Sequence, residues 1–277
     1  MIIHAPAYIY LGFFMKKMQK IVIKVGTSTL TQGTQSLSRR YMLSLVQQIN
    51  HLKNQGLQIV LVSSGAVATG RGILNFRENH QPSKQAFASI GQVKLMEIWT
   101  DLFSLFDIQV GQVLLTKEDF SHQKSVMTRN NLNSLLQHII PIINENDTVA
   151  IADSRVGDND NLAALVANLI EADTVILLTD QEGLYTADPR HHSDAKFISV
   201  VQQIDEKIFA LAGGSSNFFG TGGMSTKVQA AQVAAQAGIQ TIIASSTRPN
   251  VLIDLIEGKQ IGTLFLSHKY NSNGETK

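Results

Sequence analysis

The sequence predicts an α/β fold with a mostly parallel central sheet covered on both faces. Short β-rich runs that are almost continuously apolar (IVIKV, QIVLV, TVILL) alternate along the chain with longer stretches of apolar residues at helical spacing. Strands of that kind are buried on both faces, as parallel strands joined by crossover helices must be. The chain has 277 residues, 44% hydrophobic and 16% charged, enough apolar material for a substantial core. Disorder of the bulk of the chain is excluded on the same grounds.

Each element follows from local pattern. Lys20–Val25 reads as a strand that ends in a Gly26-Thr27-Ser28 turn. Residues 38–52 form a helix closed near Gly56. Residues 58–62 form a buried strand that runs into Ser63-Ser64-Gly65-Ala66, a helix entry. A helix is expected over 84–105, a strand over 110–115, a helix over 125–138 and a strand over 139–143. There follow a helix over 161–171, a strand over 174–178, a helix over 224–237 and a strand over 241–244. A last strand over 262–266 closes the sheet, and the polar segment 188–194 is an exposed loop.

The ends are read separately. Residues 1–14 are apolar and precede Lys16, Lys17 and Lys20. This stretch is shorter than the roughly 20 residues needed to span a bilayer, and its charge order is reversed for a secretory signal. Residues 1–18 are therefore expected to be a frayed extension or the product of an upstream start. The fold occupies 19–267, and 268–277 is a polar tail.

Composition narrows the function. Lys plus Arg number 23 against 22 for Asp plus Glu, so no global basic field exists to hold a nucleic acid or an anionic membrane. Cysteine is absent, which excludes disulfides, thiol catalysis and thiolate metal sites. A cytoplasmic enzyme is the expectation.

In open α/β sheets ligands bind beyond the carboxyl ends of the strands. Polar or glycine clusters stand at four such ends: Lys24 to Ser28, Ser63 to Ala66, Asn144-Glu145-Asn146-Asp147, and Thr179-Asp180. Two more open helices: Gly157-Asp158-Asn159-Asp160-Asn161 and the run from Gly220 to Lys227. Neither the Walker pattern nor the dinucleotide fingerprint is present. Even so, glycines followed by a helix N-terminus suit a phosphate. Lys227 lies in the first turn of that helix, where the dipole disfavours a cation, and this points to an anionic partner. The bland alternative is a flexible loop with an unremarkable lysine. Lys24 interrupts an apolar strand, where an unpaired ammonium is costly, unless it snorkels from a sheet edge. Two lysines converging on one anion form a phosphoryl-transfer arrangement.

Asp147, Asp158 and Asp160 are each compatible with ordinary turn or cap roles. GDNDN nevertheless concentrates more polar capacity than a cap requires. Asp160 is placed to hold lysine side chains, Asn159 to donate to a substrate, and Ser64 with Gly65 to bind a carboxylate. His191-His192 lacks a third ligand and reads as solvated. Phe218-Phe219 reads as local packing, and Trp99 and Phe103 as core.

The segments IVIKVGTSTL, VSSGAVATGR, GQVLLT, IPIINENDTV, VGDNDNLAALVA, LLTDQEGLYTADPR and GTGGMSTKVQAA occur in this order. Together they resemble the glutamate 5-kinase family of the amino-acid kinase superfamily, from about Lys20 to Leu266. The resemblance implies a three-layer α/β/α sandwich with its N-terminal part binding glutamate and its C-terminal part binding ATP. It implies transfer of the γ-phosphoryl of ATP to the γ-carboxylate of L-glutamate, the first step of proline biosynthesis from glutamate. By the same resemblance Lys24 and Lys227 contact the phosphates and Asp160 organises both lysines. Ser64, Gly65, Asp147 and Asn159 bind glutamate, with Asp147 receiving the α-amino group. Lys24, Gly26, Thr179, Asp180 and the segment Thr221, Gly222, Gly223, Met224, Ser225, Thr226, Lys227 line the ATP site.

Mg²⁺ is expected to ride on ATP oxygens with no direct protein ligand. A homo-oligomer, dimer or tetramer, and feedback inhibition by proline are also implied. Many family members continue into a C-terminal PUA-type domain; this chain is expected to be the short, kinase-only form. The alternatives are a sister kinase acting on N-acetylglutamate, aspartate, carbamate or UMP, and a catalytically silent sensor on the same fold.

Overall fold

The computed structural model describes residues 18–74, 82–150, 152–213 and 223–267. Its strands are β1 (Lys20–Val25), β2 (Gln58–Ser63), β3 (Val110–Leu115), β4 (Ile140–Glu145), β5 (Thr174–Thr179), β6 (Leu184–Tyr185), β7 (Phe197–Ile198), β8 (Val200–Val201), β9 (Gln240–Ser245) and β10 (Thr263–Phe265). The helices are α1 (Thr27–Thr31), α2 (Arg39–Asn54), α3 (Ala66–Leu74), α4 (Lys84–Ser104), α5 (Ser125–Leu136), α6 (Asn159–Ile170), α7 (Glu206–Leu211), α8 (Met224–Gln236) and α9 (Val251–Ile256). Eight strands form one sheet in the order β3-β4-β2-β1-β5-β9-β10-β8, and β6 pairs with β7 in a separate hairpin. β2 with β4, β3 with β4 and β5 with β9 run parallel, as the unbroken apolar runs require.

By internal contacts the chain divides into two compact units, Val25–Asn159 and Asp160 onward together with the chain up to Lys24. In the first unit, β2 and β4 bury every residue from Ile59 to Ser63 and from Ile140 to Glu145. Trp99 and Phe103 are fully buried on α4 with ring centroids 5.9 Å apart. The indole Nε1 of Trp99 donates to Ser63 Oγ at 3.0 Å, so the buried polar edge of the ring is satisfied. Helices α3 and α4 meet backbone to backbone. A Cβ on Gly91 would lie 1.8 Å from the Ala66 carbonyl oxygen, and one on Gly70 would lie 2.0 Å from that of Phe87.

In the second unit β5 and β9 pair over their full lengths, from Thr174 with Gln240 to Thr179 with Ser245. The start of β1 is pinned by Asp173, whose Oδ2 accepts from the backbone N–H groups of Gln19 and Lys20 at 2.8 Å each.

Two readings are corrected. The segment after β1 is a short helix, α1, capped by Gly26 and burying Leu30, instead of a simple turn. β10 does not close the sheet, because β8 lies outside it, and it runs antiparallel to β9. Both strands are too short to show a period. The 188–194 segment is an exposed loop as expected, at the tip of the β6–β7 hairpin, while β8, α7 and α9 are further elements that periodicity missed. The expectations for residues 1–17 and 268–277 fall outside the described residues.

Candidate active site

β1 delivers Lys24 to a position where it is 7% exposed, and α6 and α8 place Asp160 and Lys227 in their first turns at 2% and 8%. Lys24 Nζ lies 2.7 Å from Asp160 Oδ1, and Lys227 Nζ lies 3.2 Å from Oδ2. Thr226 Oγ1 also donates to Oδ2 at 2.9 Å. Burial pushes the Asp160 carboxyl upward, but the charges of Lys24 and Lys227 and the hydrogen bonds from Lys24 and Thr226 outweigh it. The group sits below its ordinary value and is ionised. Two ammonium groups against one carboxylate leave this buried cluster with an excess positive charge. Lys24 is therefore an interior residue of a central strand with a partner, not a snorkelling edge residue.

The glycine preceding α8 works through its backbone. Gly223 has φ +118°, a conformation that favours glycine, and its carbonyl accepts from Thr226 Oγ1 at 3.0 Å and from Lys227 Nζ at 3.2 Å. Met224 and Ser225 continue the first turn of α8. Thr221 and Gly222 lie outside the described residues, as do Phe218 and Phe219. Gly26 caps α1, accepting from Leu30 N–H at 3.0 Å.

At the end of β5, Thr179 Oγ1 donates to Asp180 Oδ1 at 3.0 Å. Asp180 lines a cavity of about 550 Å³ together with Glu182, Ser245, Thr247, Arg248 and Gln260. This is the size of a small-molecule pocket, and it opens beyond the carboxyl ends of β5 and β9. Its walls are held from behind. Arg248 Nε donates to Asp254 Oδ2 at 3.0 Å, and Glu182 accepts from the Tyr185 hydroxyl at 2.6 Å. That hydrogen bond pushes the Tyr185 phenol up to about 12.

A second constellation belongs to the unit Val25–Asn159. Asn159 Nδ2 donates to Ser64 Oγ at 2.7 Å and to Asn144 Oδ1 at 2.9 Å. Asn144 Nδ2 in turn donates to Gln92 Oε1, and Gln92 Nε2 to Gln112 Oε1, each at 3.0 Å. Asn159 is thus locked by its donors, and its buried Oδ1 has no hydrogen-bond partner among the described residues. The amide nitrogen of Asn159 is engaged within the protein, and its acceptor oxygen is the polar atom without a partner among the described residues. Gly65, at φ +109°, lets the chain turn from β2 into α3. Glu145 accepts from the N–H groups of Val156 and Gly157 at 2.6 and 3.4 Å, tying the end of β4 to the GDNDN turn. Asp147 pairs with Lys84 at 3.1 Å.

Contacts therefore join Lys24, Asp160, Thr226 and Lys227 in one cluster, Ser64 and Asn159 in another, and Thr179 with Asp180. Asn144, Gln92, Lys84 and Arg248 were not singled out by sequence. Asn144 had a visible signal, standing in a strand-end polar cluster, whereas Gln92 lies within a helix and stands at no strand end. Among the described residues no three or more His, Cys, Asp or Glu side chains gather as metal ligands, and no helix is long and apolar enough to cross a membrane.

A mostly parallel sheet with two lysines paired to one buried carboxylate at strand and helix ends is an arrangement suited to phosphate-handling α/β enzymes. The model of the amino acid kinase family matches residues 19–245. Among solved structures, carbamate kinase from Giardia lamblia bound to AMP-PNP superposes with TM-score 0.64 at 18% identity, covering 91% of this chain and 99% of that one. UMP kinase from Ureaplasma parvum superposes with TM-score 0.62 at 16% identity, covering 91% and 100%. These two establish the shared fold.

Glutamate 5-kinase of Haemophilus influenzae (strain PittGG) is 51% identical over 253 residues, 90% of this chain and 69% of that protein. Glutamate 5-kinase of Pasteurella multocida (strain Pm70) is 49% identical over 255 residues, 91% of this chain and 70% of that protein. The chain belongs to the amino acid kinase family and, within it, to the glutamate 5-kinases.

Proposed function

We propose that the chain catalyses ATP-dependent phosphorylation of L-glutamate on its γ-carboxylate, giving L-glutamyl 5-phosphate and ADP. The observation that carries this reading is the buried Lys24–Asp160–Lys227 cluster, a preformed cationic site for a transferring phosphoryl group.

In the proposed mechanism a γ-carboxylate oxygen of glutamate attacks the γ-phosphorus of ATP. The bond to the bridging β,γ oxygen breaks, and its electrons leave on ADP. The carboxylate is ionised at neutral pH, so no general base is required. Lys24 and Lys227 neutralise charge on the phosphoryl oxygens, and Asp160 holds both ammonium groups at fixed positions before substrate arrives. Pre-orientation of this kind removes reorganisation from the moment of transfer.

Thr179, Asp180 and the residues preceding and opening α8 bind ATP, and the cavity beyond β5 and β9 accommodates the nucleoside. ATP enters as its Mg²⁺ complex, the ion held by phosphate oxygens and water. Ser64, Gly65, Asp147 and Asn159 bind glutamate, and the acceptor Oδ1 of Asn159, unpartnered among the described residues, suits the substrate ammonium. The unit Val25–Asn159 is thereby the acceptor half and the remainder the nucleotide half. The same reading extends to a cytoplasmic homo-oligomer inhibited by proline. Light scattering of the purified chain and a proline titration of its activity test those two properties.

The function itself is tested by trapping acyl phosphate as hydroxamate, with L-glutamate, N-acetylglutamate and L-aspartate compared and UMP phosphorylation followed separately. Turnover of free glutamate alone is expected. Preference for any of the other acceptors overturns the substrate assignment.

A further inference from the structure

Lys84 opens α4 and its ammonium sits on Asp147, the carboxylate assigned above to the substrate α-ammonium. Two observations make this pair unusual. First, a cation in the first turn of a helix opposes the helix dipole, and the first turn of α4 carries no acidic residue to offset it. Ser83 caps the helix through its own side chain, accepting from Ala86 N–H at 3.1 Å, so Lys84 serves no capping purpose.

Second, α4 lies along the whole turn that follows β4. Gln92 accepts from Asn144, Ser89 Oγ stands 3.1 Å from Thr148 Oγ1, and Lys84 reaches Asp147. This helix therefore contributes side chains to the acceptor constellation at three heights. The side chain of Asp147 is only 15% exposed and that of Lys84 is 49% exposed, so the lysine is the partner able to swing.

We infer that Lys84 is a substrate-binding residue that reads the α-carboxylate of glutamate. An α-amino acid head group carries one positive and one negative charge on neighbouring atoms. The Lys84–Asp147 pair is its mirror image. When glutamate enters, its α-ammonium replaces Lys84 on Asp147 and its α-carboxylate takes the released Lys84 ammonium. One ion pair is exchanged for two. A ligand that lacks either charge can complete only half of the exchange, so the pair selects for a free α-amino acid head group. This rests on the acceptor-site reading of Asp147 given above.

The test compares L-glutamate with L-isoglutamine, whose α-carboxylate is an uncharged amide and whose γ-carboxylate is intact. Turnover and inhibition constants are measured for the wild type, Lys84→Met, Lys84→Arg and Arg155→Gln. Arg155 is included as a rival cation in the same unit, since its Nε is buried without a hydrogen-bond partner among the described residues. Lys84→Met is expected to raise the glutamate KM by about 10- to 100-fold, the scale of one charge-assisted contact. It is expected to leave the isoglutamine constant within about threefold, and Lys84→Arg recovers most of the glutamate affinity.

Equal losses on the two ligands, no loss on either, or discrimination that vanishes only in Arg155→Gln overturns the assignment. Failure of the wild type to phosphorylate glutamate is a different result, and it removes the functional reading itself. Calorimetric affinities of the two amino acids then decide the role of Lys84 separately.

Discussion

If the proposed function holds, Asp160 is the residue on which the phosphate-side chemistry turns, because its carboxylate pairs with both Lys24 and Lys227. Removing one member of such a buried set leaves uncompensated charge and costs about 3–5 kcal/mol. Asp160→Asn is therefore expected to lower the melting temperature and to abolish turnover, as checked by calorimetry and the hydroxamate assay. The pH dependence has a definite sign. The folded-state pKa of Asp160 lies below its unfolded value of about 3.9. Its contribution is complete above that value and disappears as pH falls through the lowered folded one. In urea unfolding series, the gap between wild type and Asp160→Asn should stay constant above about pH 5 and shrink below about pH 4. A gap that widens in acid would contradict the pairing.

Lys227→Ala is expected to reduce kcat by about 10²- to 10³-fold, as loss of one preorganised charge contact does. The glutamate KM should change little, because the charge acts in the transition state. A raised glutamate KM with intact kcat would remove Lys227 from that role.

At the scale of elements, the close contact between α3 and α4 sets the spacing around the constellation proposed to bind the acceptor. α3 follows Ser64 and Gly65, and α4 carries Gln92 and Lys84, so their spacing sets two sides of the site. That spacing is close because Gly70 and Gly91 carry no side chains at the crossing. Gly91→Ala drives a methyl into the carbonyl of Ala66, a backbone atom that cannot rotate away. A cost of about 1–3 kcal/mol is expected, equivalent to a fall of roughly 2–12 °C in melting temperature for a chain of this size. The glutamate KM should rise in the same variant while the ATP KM holds. Wild-type melting behaviour would show that the helices can separate freely.

At the scale of the whole molecule, the chain divides at a chemically telling place. Asn159 ends one compact unit and Asp160 begins the other, so consecutive residues belong to the Ser64–Asn159 constellation and to the lysine cluster. If the units bind different substrates, their kinetic effects should segregate. Ser64→Ala and Asp147→Ala are expected to raise the glutamate KM, with Asp147→Ala costing about 10- to 100-fold. Thr179→Ala and Asp180→Ala should raise the ATP KM and leave that of glutamate nearly unchanged. Steady-state titration of each substrate against saturating partner checks this, and mixed effects from either group would show that the division is not functional.

The sequence by itself determined the class of fold and the chemical types at the site. Unbroken apolar runs such as TVILL are incompatible with a half-wet sheet, and a lysine inside IVIKV demands a counter-charge wherever the chain folds. Those are local facts, legible without coordinates. Short elements such as β8, α7 and α9 were not legible, because their conformation comes from pairing and packing rather than from a period of their own. The GDNDN turn already pointed to Asp160 as the carboxylate that holds the lysines, whereas the partner of Asp147 was left to the long-range fold. The placement of β1, α6 and α8 gives Asp160 two ammonium groups, and that of β4 and α4 gives Asp147 to Lys84. Pairing across more than sixty positions is a property of topology, and no reading of neighbouring residues contains it.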